Sequence, residues 1–117
     1  MKSVSVVMCT YNGAKYIREQ LDSIINQTYP IFEVIIQDDC STDDTVDIIR
    51  EYAESNETIK LFVNEKQKGV TLNFITALQR ASGDLIAISD QDDIWNLEKI
   101  ENRFLIWCNR MLYYVSL

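Results

Sequence analysis

Four short apolar runs, alternating with stretches of helical periodicity, predict an α/β fold: three αβα layers around a mostly parallel sheet. The composition agrees, since 117 residues of which 47% are hydrophobic and 25% charged suit one globular domain spanning 1–117. Polar, acidic loops also follow the apolar runs, as expected where the carboxyl ends of parallel strands meet solvent. No internal repeat, linker or domain boundary interrupts the pattern.

The first run, Val4 to Met8, leads into Thr10-Tyr11-Asn12-Gly13. Ala14, Ile17, Leu21, Ile24 and Thr28 then step by three and four, the spacing of one helix face. Tyr29-Pro30 ends that helix, because the residue before proline is pushed out of helical geometry. Val34 to Ile36 is the second strand, followed by Asp38-Asp39-Cys40-Ser41-Thr42-Asp43-Asp44, and Val46, Ile49 and Ala53 mark the second helix. Ile59 to Val63 is the third strand; Phe74, Leu78 and Ala81 give the third helix, which Ser82-Gly83 closes. Leu85 to Ile88 is the fourth strand. After Asp90-Gln91-Asp92-Asp93, a fourth helix is expected from Leu97, Ile100, Phe104, Trp107 and Met111, with Asn96 as its N-cap and Glu98 in its first turn. Runs without strict alternation suit strands covered on both faces, so the order βαβαβαβα implies right-handed crossovers.

Charge narrows the function. Eighteen acids against 11 bases give −7 with no His, and the pI near 4.4 argues against a reader of nucleic-acid phosphates. Without His, Ser-His-Asp and Cys-His machinery and imidazole-ligated zinc are excluded. The position of the charge says more than its sum. Asp38, Asp39, Asp43 and Asp44 share one loop and Asp90, Asp92 and Asp93 another, and outside these the remaining 11 acids balance the 11 bases. Clustered carboxylates repel unless solvated or neutralised by a cation.

Three Cys, an odd number, read as reduced thiols in a cytoplasmic setting. The N-terminal stretch is too short for a secretory signal and reads as the first strand. The apolar stretch from Phe104 to Leu117 falls short of a membrane span and is expected to be a helix that would continue into a larger core. Self-association through it, or peripheral contact with the inner face of the cell membrane, is a further expectation.

Asp90-Gln91-Asp92-Asp93, directly after a strand, offers hard oxygen ligands suited to a divalent cation that keeps several waters and also meets phosphates; as a bare turn it would only cap the next helix. Asp38 and Asp39 stand where a carboxylate can accept from a base edge or a ribose hydroxyl, although Ser, Thr and Asp are equally the residues of a helix N-terminus. Asp43 and Asp44 fit the first turn of that helix. Tyr11 can stack on a ring or belong to a simple turn. Three Gly make neither a GxGxxG nor a Walker A loop. Any bound diphosphate would therefore need a metal; Lys66 and Lys68 read as a solvated basic loop that could also assist.

Val-Val-Met-Cys-Thr-Tyr-Asn-Gly (6–13), Ser-Ile-Ile-Asn-Gln-Thr (23–28), Glu-Val-Ile-Ile-Gln-Asp-Asp-Cys-Ser-Thr-Asp (33–43) and Gly-Asp-Leu-Ile-Ala-Ile-Ser-Asp-Gln-Asp-Asp-Ile-Trp (83–95), in this order, resemble the N-terminal half of a family 2 glycosyltransferase of the GT-A fold. The last motif is similar to rhamnosyltransferase-like bacterial enzymes of surface polysaccharide synthesis. The resemblance implies a Rossmann-like nucleotide-binding half and a UDP-, dTDP- or GDP-sugar donor. It also implies inverting transfer to a glycan or lipid-linked acceptor. Tyr11 would stack on the base with Thr10 and Asn12 in the same loop, and Asp39 would accept from base or ribose. Asp90-Gln91-Asp92 would be the DXD motif, with Asp92, Asp90 and Asp93 around Mn2+ or Mg2+ and Asp90 also near the ribose. The general base would lie beyond Leu117, so the chain reads as a donor-binding half. Two alternatives differ in class: a haloacid-dehalogenase-like phosphohydrolase with Asp90 as nucleophile, and a non-catalytic self-associating module.

Overall fold

The computed structural model describes residues 2–90, 93–104 and 114–115. The elements are β1 (Val4–Thr10), α1 (Ile17–Ile25), β2 (Glu33–Asp38), α2 (Thr45–Ser55), β3 (Ile59–Val63), α3 (Val70–Leu78), β4 (Leu85–Ser89), α4 (Lys99–Phe104) and β5 (Tyr114–Val115). They form one parallel sheet in the order β3-β2-β1-β4-β5.

Helices cover both faces. On one, Ile17, Leu21 and Ile24 of α1, Ile48 and Ile49 of α2 and Ile100 of α4 pack on Val6, Met8, Val34, Ile36 and Ala87. On the other, α3 sets Ala77, with Phe74 and Leu78, against Val7, Ile35, Ile86 and Ile88. β1, β2 and β4 are buried on both sides, which is why their sequences are apolar runs, while β3 at the sheet edge is partly exposed. The expected α/β class, with three layers and a parallel sheet, is the observed one.

Three boundaries differ from expectation. Turn residues precede α1, where the Gly13 carbonyl accepts from the N–H groups of Tyr16 and Ile17, so the helix starts at Ile17 and not Ala14. α3 begins four residues before Phe74, at Val70, after Gly69 with φ 86°, and it ends before Ala81. The stretch from Phe104, expected to be helical to the end, carries β5 instead: Tyr114 and Val115 pair with Ile86 and Ala87. Aromatic and β-branched residues favour a strand, and the free edge of β4 offers the unpaired backbone groups that such a strand needs. Trp107 and Met111 lie outside the described residues.

The chain leaves β1 toward β2 and β3 on one side, and β4 and β5 lie on the other. The order therefore reverses at β1, and the crevice beyond the carboxyl ends of β1 and β4 is where a ligand site is expected in an open α/β sheet.

Candidate functional site

A cavity of about 620 Å³ opens at that place. Thr10, Tyr11, Asp39 and Asp90 all line it, each from the carboxyl end of a strand or the loop after it. Val7 and Ile88 form part of its apolar wall from the sheet, and Phe74 contributes from α3. The volume and the mixture of apolar wall with a few polar groups are those of a small-molecule site.

Asp38 and Asp39, indistinguishable by local sequence, have different tasks. Asp38 is fully buried and turns away from the cavity: its Oδ1 accepts from Thr10 Oγ1 (2.7 Å) and Ser41 Oγ (2.6 Å), and its Oδ2 from the Ser41 N–H (2.8 Å). It ties β1 to the loop after β2. Asp39, 5% exposed, faces the cavity. Its Oδ1 accepts from Asn64 Nδ2 (2.9 Å) and the Lys68 N–H (2.7 Å), and its Oδ2 from the Gly69 N–H (3.0 Å). Burial alone would raise its pKa, but the hydrogen bonds from Lys68, Asn64 and Gly69, with the Lys68 charge, together hold the carboxyl below its ordinary value. It stays ionised, with acceptor capacity left on Oδ2.

The Thr10-Tyr11-Asn12-Gly13 segment is anchored to the loop before α2. Asn12, at φ 50°, accepts from the Thr42 N–H at its Oδ1 (2.8 Å) and donates its own N–H to Ser41 Oγ (2.8 Å). Asn tolerates this left-handed geometry better than most residues. Asn12 was expected in the substrate site; it does not line the cavity, and its amide instead fixes the loop that presents Tyr11. Thr10, also expected in that loop, is the last residue of β1, with its hydroxyl committed to Asp38. Asp43 and Asp44 were expected in the first turn of α2 but precede it: Asp44 is the N-cap, and Asp43 accepts from the N–H groups of Thr45 (3.0 Å) and Ala14 (3.1 Å).

The acidic loop after β4 is gripped by the polar side of α1. Buried Gln20 donates from Nε2 to Ser89 Oγ (2.9 Å) and to the Asp90 carbonyl (2.5 Å). Ser23 Oγ accepts from the Trp95 N–H (3.0 Å). Gln27 donates to the Asn96 carbonyl (2.6 Å) and accepts from the Ile100 N–H (3.0 Å).

The proposed metal ligands do not share one placement. The Asp90 side chain is exposed at the cavity, a fitting hard-oxygen donor, while Asp92 lies outside the described residues. Asp93 does not line the cavity: its carboxylate meets Trp95 Nε1 (3.2 Å) and the Lys99 ammonium (3.7 Å), which makes it a brace for α4 where a ligand was expected. Among the described residues no three His, Cys, Asp or Glu side chains gather as a metal cluster. Of the three acids expected around a cation, Asp90 is the one that the described residues place at the cavity.

Asn64, Asn73 and Phe74 were not anticipated at the site. Asn64 follows the last residue of β3, the same strand-end position that exposes Asp39 and Asp90, so that rule would have found it. Phe74 was read only as part of a helical stripe.

Residues 5–110 match the family model for glycosyl transferase family 2. The chain belongs to this family. Over 98 residues it is 41% identical to the UDP-Glc:alpha-D-GlcNAc-diphosphoundecaprenol beta-1,3-glucosyltransferase WfgD of Escherichia coli, covering 84% of this chain and 38% of that protein. The crystal structure of S. aureus TarS 1-349 in complex with UDP-GlcNAc superposes with a TM-score of 0.81 at 35% identity, over 88% of this chain and 30% of that one. The mannosyltransferase PcManGT of Pyrobaculum calidifontis, in complex with GDP-Man and Mn2+, gives 0.81 at 33% identity, over 88% and 31%. The chain therefore spans about two fifths or less of these relatives. Membership in a glycosyltransferase family leaves the phosphohydrolase alternative without support. Among the described residues no helix is long and apolar enough to cross a membrane.

Proposed function

We propose that this chain supplies the donor-binding half of an inverting glycosyltransferase of bacterial surface polysaccharide synthesis, using a nucleoside-diphosphate sugar and a glycan or lipid-linked acceptor. The observation that carries this reading is the convergence of Tyr11, Asp39 and Asp90 on one cavity at the switch point of a family 2 chain. Tyr11 stacks on the base. Asp39, an ionised acceptor among N–H donors, favours a base edge that offers an N–H, which uracil, thymine and guanine have and cytosine lacks at the equivalent ring nitrogen. UDP is the first donor nucleotide to test, since WfgD and TarS carry UDP-sugars in their names or complexes.

Asp39 and Asp90 make the cavity unfavourable for a bare diphosphate. Asp90 and Asp92 would hold a divalent cation, Mn2+ or Mg2+, which when bound supplies Lewis-acid neutralisation of the charge developing on the diphosphate leaving group. The grip of Gln20 on the Asp90 carbonyl fixes where that carboxylate starts from. The general base belongs to the part of the relatives that this chain does not span, and the cytoplasm, where nucleotide sugars are used, is the proposed setting.

Calorimetry of UDP, dTDP and GDP with and without Mn2+ tests the reading. Binding strengthened by Mn2+, and lost in Asp92→Ala, is expected. No metal-enhanced binding of any nucleotide, with Asp92→Ala behaving like the parent, would sink it.

A further inference from the structure

A line of buried and half-buried polar side chains runs from α3 across β2 to Asp39. Asn73, 2% exposed, accepts at its Oδ1 from both Gln37 Nε2 (3.0 Å) and Asn64 Nδ2 (2.8 Å), and donates from Nδ2 to the Gln37 carbonyl (3.1 Å). Asn64 Nδ2 directs its other hydrogen to Asp39 Oδ1. Behind them Gln37 donates to Thr76 Oγ1 (2.6 Å) and accepts from Arg80 Nε (2.9 Å), whose guanidinium lies 3.8 Å over the Phe62 ring. No buried side-chain polar atom among the described residues lacks a partner.

Packing a helix on a sheet needs none of this. Ala77 meets Ile35 through apolar contact on the same interface. A buried polar chain in a low-dielectric interior is costly unless complete, and when complete it fixes orientation. Two acceptors, Asp39 Oδ1 and Asn73 Oδ1, face Asn64, so it can present only its NH2 to both. Asn64 with the Lys68 N–H then occupies Oδ1 of Asp39, and among the described residues the Gly69 N–H alone bonds to Oδ2.

We propose that Asn73, acting through Asn64, is a positioning residue that fixes which acceptor site of Asp39 faces the cavity. The inference deepens the nucleotide-binding reading and rests on it for the identity of the ligand. Asn73 touches Asp39 only through Asn64. Its role is to set selectivity for the base, with α3 as the platform.

The test uses the full chain with Asn73→Ala, Asn64→Ala and a control, Thr76→Val. Thr76 takes a hydrogen bond from the same Gln37, so Thr76→Val loosens the far side of the network while it leaves the Asn73–Asn64 link intact. The first readout needs no ligand: the carbon-detected NMR titration of the Asp39 carboxyl. The second is the ratio of UDP to CDP affinity by calorimetry. In both Asn variants Asp39 should titrate nearer the ordinary carboxylate range, and the preference for UDP should shrink about tenfold, the size expected for a hydrogen bond to a charged group. Thr76→Val should change neither. Unchanged Asp39 titration in both Asn variants, or an equal change in Thr76→Val, overturns the proposal. If Asn73→Ala does not fold, Asn73→Ser, which removes the Oδ1 that Asn64 faces while keeping a small polar side chain, decides the matter. A shifted Asp39 titration in a chain that binds no nucleotide would support the positioning role while removing the donor-binding reading.

Discussion

Asp39 keeps its charge in a nearly closed environment because donors from Asn64, Lys68 and Gly69 outweigh the effect of its burial. Glu33 is held below the ordinary range in the same way: burial alone would raise its pKa, and bonds from Ser5, Ser82 and Lys60 together outweigh it. A carboxyl depressed in the folded state contributes stability that is fully present above its unfolded value, about 4, and lost as pH falls through the lower folded value. Chemical denaturation should therefore show stability falling below about pH 4. Asp39→Asn should cost roughly 2 kcal/mol at neutral pH, since an amide meets three donors with one oxygen, and should flatten the low-pH limb. Cys9, on the cavity wall, offers a second check. Burial first and the charge of Asp39 second push its thiol up to about 11. Its alkylation at pH 8 should lag on the order of a hundredfold behind that of the same thiol in urea, because the thiolate is the reacting form. The sequence marked Asp38 and Asp39 equally. What separates them is the side on which each leaves the backbone, and that depends on pairing partners such as Thr10 that lie 28 residues away.

Strands were legible because burial on both faces demands apolar runs, and helices because one apolar stripe recurs at helical spacing. The polar side of α1 and the turn after it were not, since Gln20, Ser23 and, just past the helix end, Gln27 occupy positions that a periodicity count assigns to solvent. All three are buried against the loop that carries Asp90. Gln27→Ala would leave the Ile100 N–H and the Asn96 carbonyl unpaired. It should cost about 2 kcal/mol and weaken Mn2+-assisted UDP binding more than metal-free binding, as read by calorimetry. At the other end of the sheet, the turn between α3 and β4 is held by Ser5 and Glu33: the Gly83 N–H donates to Ser5 Oγ (2.8 Å) and the Ser82 N–H to Glu33 (2.7 Å). A Cβ on Gly83 would lie 2.6 Å from Ser5 Oγ and 2.9 Å from the Ser5 main-chain nitrogen. Gly83→Ala should therefore destabilise by about 1–3 kcal/mol in thermal or denaturant unfolding, the usual range for overpacking. β5 was missed for a related reason: Tyr-Tyr-Val is apolar enough to extend a helical stripe, and only the open edge of β4 makes it a strand.

For the molecule as a whole, two acids of the two acidic loops, Asp39 and Asp90, line one cavity. A cation bound there together with a nucleotide should register as global stability, about 2.7 kcal/mol when ligand exceeds its Kd a hundredfold. Thermal unfolding with UDP and Mn2+ should exceed that with UDP alone, and EDTA should remove the difference; equal midpoints in all three would contradict the metal's role. The position of the site was legible through the rule that ligands sit beyond the carboxyl ends of such strands. The network behind it was not, because Gln37, Asn64 and Asn73 are ordinary polar residues until the chain folds. β2 ties these levels together. Glu33, Ile35 and Gln37 turn to the α3 side, with Asp39 beyond them, and Val34, Ile36 and Asp38 turn to the other. The strand is thus a ruler with a two-residue graduation. Deleting Ile35 would shift every residue after it by one, moving Gln37 to the apolar face of Val34 and Ile36 and turning Asp39 away from the cavity. Tolerance of length change should therefore be lowest in β2, even though individual substitutions along it are survivable.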